Sequence, residues 1–146
     1  MTSQRGYSPS EWEHFRHQKD EAKKKPDRFI LPGKTFYVED WVELYDRFLR
    51  ELEQRCPCLF HQLPETDYFN RSLRTPRTRR FTRIRADIED KSNSNHGPLL
   101  ELPGGDEGFI YCKGSMDVKP MFSNILKLLK MFCIPESEMV IYLRED

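Results

Sequence analysis

The chain has 146 residues with 24 basic and 24 acidic side chains, 37% hydrophobic and 33% charged residues, so its formal net charge is zero. A chain of this length can bury a substantial core, but with so much charge the apolar residues have to be clustered and the remainder solvated. No window approaches the roughly 18 apolar residues of a spanning helix, and the opening MTSQRGYSPSEWEHF lacks the apolar stretch of a secretory signal, so the expected location is cytoplasmic or nuclear.

The first periodic feature is YSPSEWEHFRHQKDEAKKKP. Ser8 can cap a helix, Pro9 suits its first position and Glu11 completes a capping box. Its large apolar residues are Trp12 and Phe15, and the pattern then stays polar to Pro26. Residues 1–28 are therefore expected to form a polar helical arm whose Trp12 and Phe15 dock on a partner. DRFILPGKTF follows as a connector, with an extended piece at Phe29–Leu31 before a Pro32-Gly33 turn.

In VEDWVELYDRFLRELEQRC, apolar residues at Val38, Trp41, Val42, Tyr45, Phe48, Leu49 and Leu52 share one face of a helix. Acidic residues sit toward its start and Arg50 and Arg55 toward its end, as the helix dipole favours. After Cys56-Pro57-Cys58, the short run Leu59–Leu63 reads as a strand.

The stretch RSLRTPRTRRFTRIR, residues 71–85, contains seven arginines, no lysine and no acid. The run RFTRIRADIE, from Arg80, alternates as a strand would: with Thr82, Ile84, Ala86 and Ile88 inward, Phe81, Arg83, Arg85 and Asp87 point outward. LLEL and FIYCK flank the turn PGGDEG as a hairpin. A second amphipathic helix runs through SMDVKPMFSNILKLLKMF, with Met121, Phe122, Ile125, Leu128, Leu129 and Phe132 on one face and Pro120 confined to the first turn. Met139–Leu143 reads as a closing strand.

These elements predict an α+β chain in which two amphipathic helices pack on one face of a small antiparallel sheet, with the N-terminal helix peripheral. Residues 29–146 are expected to form the single α+β domain, with the arginine-rich loop and strand at 71–85. The order helix, three strands, helix over about residues 37 to 133 is similar to that of the small proteins of the signal recognition particle Alu domain. That resemblance implies RNA held on an open sheet face and assigns no binding residue.

The arginine block bears most directly on function. Its seven positive charges leave 17 basic against 24 acidic residues elsewhere. A guanidinium is a planar fork that binds phosphate through two bonds and stacks on bases, which an ammonium cannot do. Exposed ion pairs within the chain contribute only about 0–1 kcal/mol each, too little to account for the block. The expected nucleic-acid contacts are therefore Arg71, Arg74, Arg77, Arg79, Arg80, Arg83 and Arg85, with the Phe81 ring stacking on a base. The expected partner is single-stranded or structured RNA. The alternative is an adaptor subunit whose arginines meet an acidic protein surface.

Other side-chain groups carry less. Cys56, Cys58 and His61 lie close in sequence, but paired C-x-x-C knuckles are absent, so no metal site is expected. The four cysteines, Cys56, Cys58, Cys112 and Cys133, are expected reduced, with Cys112 and Cys133 in the core. No nucleophile motif and no phosphate-binding loop stands out, so neither catalysis nor a cofactor is expected.

Overall fold

The structure, a computed structural model, describes residues 6–15, 24–65, 81, 83, 99–113 and 118–144. The chain divides into two compact units, Met1–Arg47 with Asp117–Asp146, and Phe48–Met116. Strand Pro26–Leu31 runs through the boundary expected at residue 28, and belongs to the first unit.

That unit is built on a four-stranded antiparallel sheet in the order β1-β6-β2-β3, with β1 at Gly6–Tyr7, β2 at Pro26–Leu31, β3 at Lys34–Tyr37 and β6 at Val140–Leu143. The expected extended piece at Phe29–Leu31 is thus half of a hairpin. Gly33 takes φ +82 after Pro32, as the second central residue of a type II turn requires, and this returns the chain along β2.

One row across this sheet, Tyr7, Ile141, Phe29 and Phe36, faces inward, with the Phe29 and Phe36 rings stacked at 4.7 Å. Between Pro26 and Arg28 the register against β6 shifts, so Pro26 is buried with the inward row while Arg28 pairs with Tyr142 on the other face.

Helix α1 (Pro9–Phe15) begins with the expected capping box: Ser8 Oγ accepts from the Glu11 amide at 3.2 Å and Glu11 Oε1 accepts from the Ser8 amide at 3.1 Å. Helix α2 (Trp41–Arg55) starts later than the apolar pattern alone suggests. Asp40 Oδ1 accepts from the Glu43 amide at 2.8 Å and Glu43 Oε1 from the Glu39 amide at 2.7 Å, which places the cap at Asp40.

Trp12 is fully buried, which overturns its expected role as a partner-docking residue. Its ring stacks on Trp41 at 5.5 Å, meets Phe122 at 6.4 Å and lies 6.1 Å from Tyr7. An indole buries more area than a seven-residue helix could offer in any other way, so the ring goes to the core of its own unit. The side chain of Phe15, the other expected docking residue, lies outside the described residues.

The C-terminal helix has the expected apolar face, with Met121, Phe122, Ile125, Leu128 and Leu129 buried along Val118–Met131. It ends in a Schellman motif: the Ile134 amide donates to Leu129 O at 2.9 Å and the Cys133 amide to Lys130 O at 3.2 Å. Cys133 occupies the left-handed position at φ 58 and is exposed, not a core residue, because the motif directs its side chain outward. Asn124 Nδ2 donates to the Tyr45 hydroxyl at 3.3 Å inside this unit.

In the second unit, β4 (Leu99–Pro103) and β5 (Phe109–Lys113) pair as the expected hairpin, with Leu100, Leu102, Ile110 and Cys112 buried. They form a sheet of their own, separate from the single sheet expected. The expected strand at Leu59–Leu63 is instead a short helix, α3 (Pro57–Phe60), followed by a turn and a 3-10 turn at Leu63–Glu65. Pro57 at the first helical position and the burial of Phe60 and Leu63 explain the difference, since three-residue spacing buries both on a helical path. With the C-terminal helix numbered α4, the α+β class and antiparallel pairing are as expected.

Two stability measurements follow from these contacts. Trp12→Ala should cost about 3–5 kcal/mol in denaturant unfolding, as large-to-small changes at buried aromatic sites do; a change near zero would mean the ring is not core. Cys133→Gly should stabilise by about 0.5–1 kcal/mol, because glycine removes the left-handed backbone penalty.

Candidate nucleic-acid interface

Of the eight residues expected to contact nucleic acid, the structure describes Phe81 and Arg83. Arg71, Arg74, Arg77, Arg79, Arg80 and Arg85 lie outside the described residues. Both described members belong to the second unit and stand at bends, not in the expected strand; Phe81 is buried and Arg83 half-buried, so neither faces outward as the alternation suggests.

Phe81 is fully buried and has no ring face to offer a base. Burying a phenyl ring recovers a large apolar area, which favours Phe81 turning inward. Arg83 can follow it inward because its fork finds two carbonyls. Nη1 donates to Gly104 O at 3.0 Å and Nη2 to His61 O at 2.7 Å.

The surroundings of Arg83 are built for that fit. At the tip of the β4–β5 hairpin, the Gly104 amide donates to Gly108 O at 2.9 Å and the Gly108 amide to Gly105 O at 3.2 Å. A Cβ on Gly104 would come within 2.8 Å of Gly108 O and 3.0 Å of Arg83 Nη1, so the guanidinium lies against bare backbone. His61 is held in turn by its Nε2 contact with Glu53 Oε2 at 3.0 Å, and Arg50 Nη2 donates to Glu101 O at 3.0 Å. Arg83 therefore ties the turn after α3 to the hairpin tip.

A second arrangement was missed in the sequence and lies in the first unit. On the outward face of its sheet, the register sets Tyr142, Arg28 and Tyr37 side by side across β6, β2 and β3. The Arg28 guanidinium sits 4.0 Å from the Tyr142 ring centroid, while its Nη1 donates to Asp27 Oδ2 at 2.9 Å. Tyr37 is 70% exposed, and the next row of this face holds Val140, Ile30 and Thr35. The signal was present in DRFILPGKTFY: a short apolar run, a Pro-Gly turn and a second run that return Tyr37 opposite Arg28.

A cavity of about 350 Å³ opens beside β1, lined by Gly6, Ser8, Glu11, Glu136, Ser137, Met139 and Val140. Its carboxylates serve the backbone of α1: Glu11 bonds the Ser8 amide and Glu136 Oε1 accepts from the Ser10 amide at 2.6 Å. They are structural caps. Among the described residues no group of three His, Cys, Asp or Glu side chains is arranged to hold a metal ion, and no helix is long and apolar enough to cross a membrane.

No protein-family model, curated protein or solved structure matches the chain. The likeness in element order to the Alu-domain proteins thus gains no support from structure, and the four-stranded sheet observed draws β1, β2 and β6, and all of β3 except Tyr37, from outside the span of that likeness.

Replacing Arg83 by Met would leave Gly104 O and His61 O without their guanidinium donor. The expected cost is about 1–3 kcal/mol in chemical unfolding, with Lys recovering little because one ammonium lacks the planar fork. Unfolding unchanged by both substitutions would show that the two bonds do not hold this unit together.

Proposed function

We propose that the chain is a non-catalytic RNA-binding module or small ribonucleoprotein subunit, and that Arg71, Arg74, Arg77, Arg79, Arg80 and Arg85 contact the phosphates. The observation that carries this reading is the composition of residues 71–85: seven arginines with neither lysine nor acid. Arg83 and Phe81 now take a different part. Anchored inside the second unit, they fix the downstream end of the arginine run to a folded support, and contact with nucleic acid falls to the other six arginines.

A fixed end favours binding, because each arginine then loses less freedom on meeting a phosphate. The rival reading, an adaptor subunit docked on a partner through Trp12, loses that residue to the core. An acidic protein surface would meet the same arginines, yet it would not show the counterion release of a nucleic-acid backbone.

Titration of the purified protein with single-stranded RNA at several salt concentrations tests the reading. Each neutralised phosphate contributes about −0.7 to the slope of log affinity against log salt for single strands, so six contacts give about −4. Substituting the six arginines by Gln should remove most of that slope. Absent binding, or binding insensitive to salt, contradicts the proposal.

A further inference from the structure

The geometry points to the outward sheet face of the first unit as a stacking platform for an unpaired nucleobase, formed by Tyr37 and Arg28 and backed by Tyr142. This inference rests on the RNA-binding reading and adds to it a site that contains none of the arginines of residues 71–85.

A lone exposed tyrosine would call for no explanation. Here three residues with planar groups stand in one cross-strand row, Tyr142, Arg28 and Tyr37, set by the pairing of Arg28 with both tyrosines. The register shift at Asp27 is what turns Arg28 onto this face, since without it Arg28 would share the side of buried Pro26. Asp27 then takes an edge of the guanidinium at 2.9 Å, while Tyr142 takes one of its faces at 4.0 Å to the ring centroid.

Held in this way, Arg28 serves as a flat, oriented surface more than as a phosphate ligand. Tyr142 is supported from β1, where a Cβ on Gly6 would come within 3.1 Å of its ring. Glycine at that position leaves the room that the ring needs. Tyr37, on edge strand β3 at 70% exposure, contributes almost nothing to the core, yet it brings an aromatic face to the free end of the row.

The occupant that suits these chemistries is a base. Rings and guanidinium planes both stack on bases irrespective of sequence. The neighbouring row of Val140, Ile30 and Thr35 is only a narrow apolar strip and carries no charge that would orient a protein partner.

The test compares the wild-type chain with Tyr37→Leu and Tyr37→Phe, using fluorescence anisotropy of labelled single-stranded homopolymer RNA at several salt concentrations. Sedimentation of each protein without RNA accompanies it. Loss of one base stack should weaken binding by about fivefold or more in Tyr37→Leu, with an unchanged salt slope because no charge is altered, while Tyr37→Phe stays within about twofold. If the wild type binds with a steep salt slope and Tyr37→Leu binds equally well, the platform is wrong and the arginine reading survives. If the wild type does not bind at all, both fail. Self-association abolished by Tyr37→Leu would assign the face to a second copy of the chain and overturn the inference.

Discussion

The first unit depends on one aromatic contact, the stacking of buried Trp12 on half-buried Trp41 with Phe122 against both rings, at 5.5 Å between Trp41 and each of the others. The contact joins three segments far apart in sequence: the N-terminal helix, the start of α2 and the C-terminal helix. Through Tyr7 it also reaches the inward row of the sheet, so the N-terminal segment becomes an edge strand and a capped helix of the fold. The indole N–H finds no hydrogen-bond partner among the described residues. Such a donor costs about 1–3 kcal/mol, so apolar area and ring shape, not bonding, select tryptophan there.

Local chemistry was legible wherever one residue pattern had one structural meaning. The capping box at Ser8 and Glu11, the apolar faces of α2 and α4, and the β4–β5 hairpin all rest on short-range rules. What could not be read depended on partners distant in sequence. Trp12 and Phe15 on an otherwise polar helix suggest an external partner, because nothing nearby shows that Trp41 and Phe122 will meet the indole. Likewise, Gly6-Tyr7 is too short to read as a strand until Val140–Leu143 is there to pair with it.

Phe81 and Arg83 show the same division at the site. Strict alternation allows either set of side chains to face inward, and the presence of arginine argues for Phe81 and Arg83 facing out. Two backbone carbonyls, from the turn after α3 and from the hairpin tip, decide otherwise by satisfying the Arg83 fork, and the phenyl ring then takes the core. Arginine in this chain thus has at least two uses. Arg83 and Arg144 serve the fold, Arg144 by donating to Val38 O at 2.8 Å and lying 3.3 Å from Glu39 Oε2. Compensation of that kind accounts for individual arginines and leaves the concentration of charge at residues 71–85 as the feature that a function has to explain.

That explanation is most directly tested by the ultraviolet absorbance ratio of the protein purified at low salt, taken before and after a high-salt wash. The account predicts an excess of nucleic-acid absorbance that nuclease removes and that the wash releases. A protein that absorbs as pure polypeptide from the first low-salt fraction onward, and acquires no such excess when RNA is supplied, would contradict it.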